Sequence, residues 1–278
     1  MNKLGTSKRA QIVRALVEGN SLRSTSRMAG VSINTVTKLL VDVGNACAKY
    51  QDGAFRNLNC KRIQCDEIWS FCYAKEKNVP AEKRGQPGVG DVWTWTAICA
   101  DTKLVPCWHV GSRNASCAYE FMTDLSERLQ GRIQLTTDGH KAYLEAVESA
   151  FGIDIDYAML VKLYDQDPAM EKRYSPAKCI GAVPEVINGN PEMEHVSTSY
   201  VERQNLTMRM GMRRFTRLTN ASSKKIENHM HAIALHFMYY NFCRIHKTLR
   251  VTPAMEAGVS NRVWDVEDIV ALLEKDSN

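Results

Sequence analysis

Three carboxylates in the 278-residue chain stand where a side chain can do chemistry: Asp66, Asp138 and Glu202. Asp66 lies mid-strand within a largely apolar stretch from Ile63 to Phe71, Asp138 closes Thr136-Thr137-Asp138-Gly139, and Glu202 follows Ser199-Tyr200-Val201. A charge inside an apolar strand is costly unless it is paired or bound to metal. Convergent carboxylates suit hard divalent cations, which take oxygen ligands and keep positions open for water and phosphate. Two Mg2+ (or Mn2+) ions about 4 Å apart would support in-line displacement at phosphorus. Each acid also has a structural reading. Ser199 and Glu202 fit a capping box, Asp138-Gly139 fits a turn, and Asp66 is the hardest to explain without a partner. Glu67 points away from Asp66 by strand alternation and has no role in this scheme.

The elements that would position these acids follow from the patterning. Residues 61–71 read as a long strand, and 92–99 and 104–110 as two more around the turn at 100–103. A helix over 115–129 carries the stripe Ala118, Phe121, Met122, Leu125 and Leu129, and Gly131 ends it before a strand at 132–137. A helix at 141–151 and a strand at 155–163 complete the order strand, strand, strand, helix, strand, helix, strand. That is the order of a ribonuclease H-like core, a mixed sheet with flanking helices and an α/β fold class. The first and fourth strands are neighbours in such a sheet, which brings Asp66 beside Asp138. Residues 165–198 contain Pro168, Pro176, Pro184 and Pro191 and read as a long irregular loop. Helices are expected at 199–212, 224–245, 253–257 and 266–273.

Ahead of the core, helices at 7–18, 21–29 and 32–43 are broken at Gly19-Asn20 and Gly30-Val31, the spacing of a helix-turn-helix. In the third, Ile33, Val36, Leu40 and Val43 would face inward. Asn34, Thr35, Thr37 and Lys38 would lie outward near the helix N-terminus, where a recognition helix meets base edges. Ser32 is the expected cap. The alternative is a helical hairpin for protein contacts. The expected domains are thus 1–50 (helix-turn-helix), a linker at 51–59, a catalytic core over 60–218, and a helical extension over 219–278.

The net charge of +5 is unevenly spread: +6 over residues 1–50, +9 over 203–250 and −10 over the rest. Basic blocks around an acidic middle suit phosphate backbones beside divalent cations. Arg209 lies seven residues, two helical turns, beyond Glu202, with Asn205 between them on the same face. Arg213, Arg214 and Arg217 extend this track toward DNA, while Met208, Met212 and Phe215 read as core. Trp93 and Trp95 share one face of a strand, where core packing competes with a wedge against a DNA end. The nine cysteines form no Cys-x-x-Cys pair, and His229, His231 and His236 lack ligand spacing, so no zinc is expected. No apolar run reaches signal-peptide or membrane-spanning length, which points to a cytoplasmic, nucleoid-associated protein.

The stretches Cys65-Asp66-Glu67-Ile68-Trp69-Ser70-Phe71, Thr136-Thr137-Asp138-Gly139-His140-Lys141-Ala142-Tyr143 and Tyr200-Val201-Glu202-Arg203-Gln204-Asn205 resemble the three blocks of bacterial insertion-sequence DDE transposases. They are close to the insertion-sequence one family. The tail 240–249 followed by Thr252-Pro253 is similar to the end of integrase-like cores. The resemblance implies a retroviral-integrase-type fold with Asp66, Asp138 and Glu202 as catalytic metal ligands. It further implies binding of the element's terminal inverted repeats and target DNA, strand cleavage and transfer, and work as a homo-oligomer on paired ends. One departure is that best-known members carry an N-terminal zinc module ahead of the helix-turn-helix. Two rival readings remain: a transposase-derived DNA-binding regulator without activity, and a plain nuclease of the same fold.

Overall fold

The computed structural model describes residues 4–164, 179–216 and 221–275. Its centre is a six-stranded mixed sheet formed by β1 (Arg62–Cys72), β2 (Gly90–Cys99), β3 (Cys107–Gly111), β4 (Ile133–Asp138), β5 (Ile155–Tyr164) and β6 (Cys179–Asn188), in the order β3-β2-β1-β4-β5-β6. β1 to β3 form an antiparallel meander, β4 runs parallel to β1, β5 runs parallel to β4, and β6 returns antiparallel. Helices cover both faces, which makes this a ribonuclease H-like α/β sandwich.

Side-chain alternation assigns the two faces. Cys65 and Trp95 face α4 (Ala115–Arg128) and α5 (Ala142–Phe151), where Trp95 packs on Phe121 and Tyr143. Ile68 and Ile98 face the opposite layer, made by α6 (Ser199–Gly211) and α7 (Ile226–Met238) through Val201, Met208, Ile233 and Phe237.

The N-terminal helices are α1 (Thr6–Val17), α2 (Leu22–Ala29) and α3 (Ile33–Ala54). Ser21 and Ser32 cap α2 and α3 by accepting from Ser24 N at 3.0 Å and Thr35 N at 3.1 Å. α3 runs eleven residues beyond the expected end at 43, and so absorbs the first part of the expected linker, because its apolar stripe continues through Cys47 to Gln51 and is buried on α7. Gly44 permits that approach: a Cβ there would lie 2.5 Å from the His231 Cβ. Ile33, expected in the core, is 40 % exposed at the helix start. α9 (Val266–Lys275) packs on α1 and α3, and α8 (Pro253–Glu256) lies between α7 and α9 in the chain. One apolar core therefore runs from Ala10 to Leu272.

Three further expectations are corrected. The irregular loop placed at 165–198 contains β6, which carries Pro184 and Gly181 and is tolerated because it is an edge strand. β3 starts at Cys107 instead of 104, since the Val105 backbone is taken on both sides by the Asn241 side chain, at 3.0 Å each way. α7 stops at Met238 and gives way to a wider π-type turn, Tyr239–Cys243, which aims Asn241 at that backbone. No helix among the described residues is long and apolar enough to cross a membrane.

Candidate active site

Asp66 and Asp138 come together through sheet register. The last parallel pair between β1 and β4 is Cys65–Thr137, so the next residues on each strand are these two acids, both on the α6 side. Asp66 Oδ1 accepts from the Glu67 amide at 2.8 Å and Oδ2 from Asn205 Nδ2 at 2.9 Å. Asp138, at the end of β4, accepts from the His140 amide at 3.0 Å. Burial, then the charge of Asp138, push the Asp66 carboxyl up to about 6.

Glu67 belongs to the same constellation, which strand alternation alone did not indicate. One carboxylate oxygen from each of Asp66, Glu67 and Asp138 can be chosen so that all lie within 4.8 Å of one another. The Glu67 side chain leaves from the other face, yet its carboxylate comes within reach of the other two. Arg113, in the turn before α4, donates to Glu67 Oε2 at 3.0 Å and to Asp138 Oδ2 at 3.5 Å, with its guanidinium over the Trp93 ring. Burial and the Asp138 charge raise the Glu67 carboxyl to about 7. The Tyr143 hydroxyl stands near enough to offset part of this, although it is not aligned for a hydrogen bond.

Glu202 faces Asp66 from α6, and its charge is felt there. The capping box does not form. The cap residue is Thr198, and Glu202 Oε1 instead accepts from Thr198 Oγ1 at 2.6 Å and Lys162 Nζ at 2.5 Å. Partial burial opposes the Glu202 charge, but these two donors outweigh it and hold the carboxyl below its ordinary value. The first amides of α6 are satisfied from β1: Gln64 Oε1 accepts from Tyr200 N at 2.8 Å and Val201 N at 3.2 Å. Gln64 precedes Asp66 on the same face, so one strand carries the acid and holds the helix that brings Glu202 to it. Gln134 on β4 likewise pins the approach to α6, bonding the Glu192 backbone at 2.8 and 3.1 Å.

The donor set fits a divalent cation. All candidate ligand atoms are carboxylate oxygens, which suits Mg2+ or Mn2+. Beside them the buried Asn205 Oδ1 and Glu67 Oε1 have no hydrogen-bond partner. The upward shifts of Asp66 and Glu67 come first from burial and then from the Asp138 charge, and a bound cation would oppose both.

The residues expected on DNA are dispersed. Asn34 and Lys38 are exposed, and Thr35 and Thr37 half-buried, on the first turns of α3. Arg213 is exposed and Arg209 half-buried. Two have other partners: Asn205 is 5 % exposed and orients Asp66, while Arg214 donates inward to Ser223 Oγ and Asn228 O. Burial lowers the Arg214 guanidinium to about 10. Arg217 lies outside the described residues. Trp95 is buried core and Trp93 half-buried under Arg113. His229 bridges Ser70 and Ser223, so its ring serves the interior.

No protein-family model and no curated protein matches the chain. Among solved structures, a piggyBac transposase synaptic complex with hairpin DNA aligns over 98 % of this chain and 72 % of its own, at 9 % identity and a TM-score of 0.47. The Mos1 strand transfer complex aligns over 56 % of this chain and 59 % of its own, at 14 % identity and 0.25. A Mos1 mariner paired-end complex with Mn aligns over 56 % and 59 %, at 11 % identity and 0.23. No site residue is carried over from any of them.

Proposed function

We propose that the chain is a DNA transposase of the insertion-sequence DDE kind, a metal-dependent polynucleotidyl transferase that cuts at element ends and joins the freed 3′ hydroxyl to target DNA. The observation that carries this reading is the pairing of Asp66 and Asp138 at adjacent positions of neighbouring parallel strands, with Glu202 opposite on α6. Asp66, Asp138 and Glu202 would hold the cations, two by this reading, with Glu67 as a fourth carboxylate within reach. Bound there, Mg2+ or Mn2+ supplies Lewis-acid stabilisation for in-line displacement at phosphorus.

The chain's own residues prepare that chemistry. Asn205 and the Glu67 amide fix the two oxygens of Asp66, so the carboxylate meets a ligand without reorienting. Gln64 locks the start of α6 to β1 and sets the distance across which Glu202 acts. Arg209 and Arg213 on the C-terminal side of α6, with Asn34, Thr35, Thr37 and Lys38 on α3, would take up double-stranded DNA through phosphates and base edges. Two copies on paired ends would supply two such sites.

The test is a plasmid bearing the element's flanking inverted repeats, incubated with the full chain and Mg2+. Strand nicks at the repeat termini and joined products in a second plasmid are expected. Binding of the repeats without any Mg2+-dependent nicking would favour the regulator reading, and nicking without preference for the termini would favour a plain nuclease.

A further inference from the structure

Two basic side chains sit inside the acidic site, each paired with one oxygen of its carboxylates. Lys162, on β5, lies two residues beyond Leu160, the register partner of Asp138, and therefore on the α6 side. Its ammonium holds Glu202 Oε1 at 2.5 Å, and its charge also acts on Asp66. On the other flank Arg113 spans Glu67 and Asp138. Both cations are partly exposed, with side-chain exposures of 26 % for Lys162 and 37 % for Arg113, and each can swing outward on a flexible stem.

We propose that Lys162 and Arg113 are built-in counter-ions that compete with divalent cations for the site and pass to DNA phosphate when substrate docks, so that metal loading and DNA binding strengthen each other. The proposal rests on the divalent-cation reading above. A divalent cation on Glu202 and the Lys162 ammonium on the same carboxylate repel each other, so each weakens the binding of the other. Metal loading therefore favours release of Lys162 from Glu202, and a backbone phosphate of a docked duplex would offer the ammonium a new acceptor. In the free protein the ammonium has no such acceptor and remains in competition. The linkage is reciprocal: whatever factor DNA adds to metal affinity, metal adds to DNA affinity.

Mn2+ binding to the full chain, read from the electron paramagnetic resonance signal of free Mn2+, tests this without any turnover. Lys162→Met and Arg113→Met are expected to bind Mn2+ about tenfold more tightly than the unsubstituted protein, since each removes a competing charge. The gain from Lys162→Met should vanish in the Glu202→Gln background, where the contested carboxylate is gone, and Lys77→Met, in a turn away from the site, should change nothing. With a mixed-sequence 30-base-pair duplex read by fluorescence anisotropy at constant ionic strength, Mn2+ should tighten DNA binding at least about fivefold in the unsubstituted protein and much less in Lys162→Met. Unchanged or weaker Mn2+ binding in both variants overturns the counter-ion proposal while leaving the metal site standing. Absence of Mn2+ binding in every protein, with or without the duplex, overturns the metal-site reading as well.

Discussion

At the scale of single residues, the site is an electrostatic conflict that the fold maintains. Asp66 and Glu67 ionise at about 6 and about 7 in the folded chain, against ordinary values of 3.8 and 4.5. Both shifts are upward, so the folded protein holds these protons more tightly than the unfolded chain does. The stability they contribute is present below about pH 4 and lost as pH rises through about 6 to 7. In the presence of a chelator, the melting temperature of the unsubstituted protein should therefore fall over that window more than that of an Asp66→Asn/Glu67→Gln variant. Millimolar Mg2+ should restore stability at pH 7.5 and do less at pH 5, where Asp66 and Glu67 are protonated. Parallel pH profiles for the two proteins would contradict this. Glu202→Gln is expected to change the melting temperature little, because the Glu202 side chain is 44 % exposed and a surface ion pair contributes little. It should nonetheless abolish strand transfer. The closeness of Asp66 to Asp138 was legible from residue type and strand order. The place of Glu67 was not, because alternation puts it on the other face, while its carboxylate, bridged to Asp138 by Arg113, still comes within reach of the two aspartates.

At the scale of elements, two glutamines do what the sequence suggested a capping box would do. Gln64 satisfies two amides at the start of α6, and Gln134 ties the preceding backbone to β4. Gln64→Ala leaves those amides without this acceptor at a partly buried helix start, a cost of about 1–3 kcal/mol. Activity should drop further than stability, since Glu202 rides on the same helix; the check is chemical unfolding alongside single-turnover cleavage. Most elements were readable from periodicity, including every strand that carries or flanks the acids. The misreadings share a cause, which is tertiary partners that override local pattern. β6 holds a proline that would bar it from the sheet interior but not from an edge. The strand expected from 104 is shortened because Asn241, far along the chain, occupies the Val105 backbone.

At the scale of the whole molecule, the N-terminal helices and the C-terminal helices form one body with the sheet. α3 lies on α7, with Gly44 against His231, and α9 closes on α1 and α3. Truncation before Val266 would expose the partners of Val266, Ile269, Val270 and Leu272, all buried. At about 1.5–3 kcal/mol per buried apolar side chain, the expected loss is roughly 6–12 kcal/mol. Circular dichroism should show that the truncated chain has lost cooperative melting, and an unchanged transition would contradict the shared core. This continuity was hidden from the sequence because a break in composition near residue 50 resembles a linker even where the helix runs on. The charge distribution, by contrast, was fully visible, and DNA affinity is expected to fall steeply with salt as phosphate-bound counter-ions are released.

The central claim is that Asp66, Asp138 and Glu202 act together on a phosphodiester. Its most direct test is the single-turnover rate of Mg2+-dependent cleavage at the element's own terminus for Asp66→Asn, Asp138→Asn and Glu202→Gln, each shown to be folded and to bind the end. Losses of about a thousandfold or more are expected for all three, with the double variants no worse than the singles, because the acids work as a unit. Cleavage by any one of them at the unsubstituted rate would contradict the account.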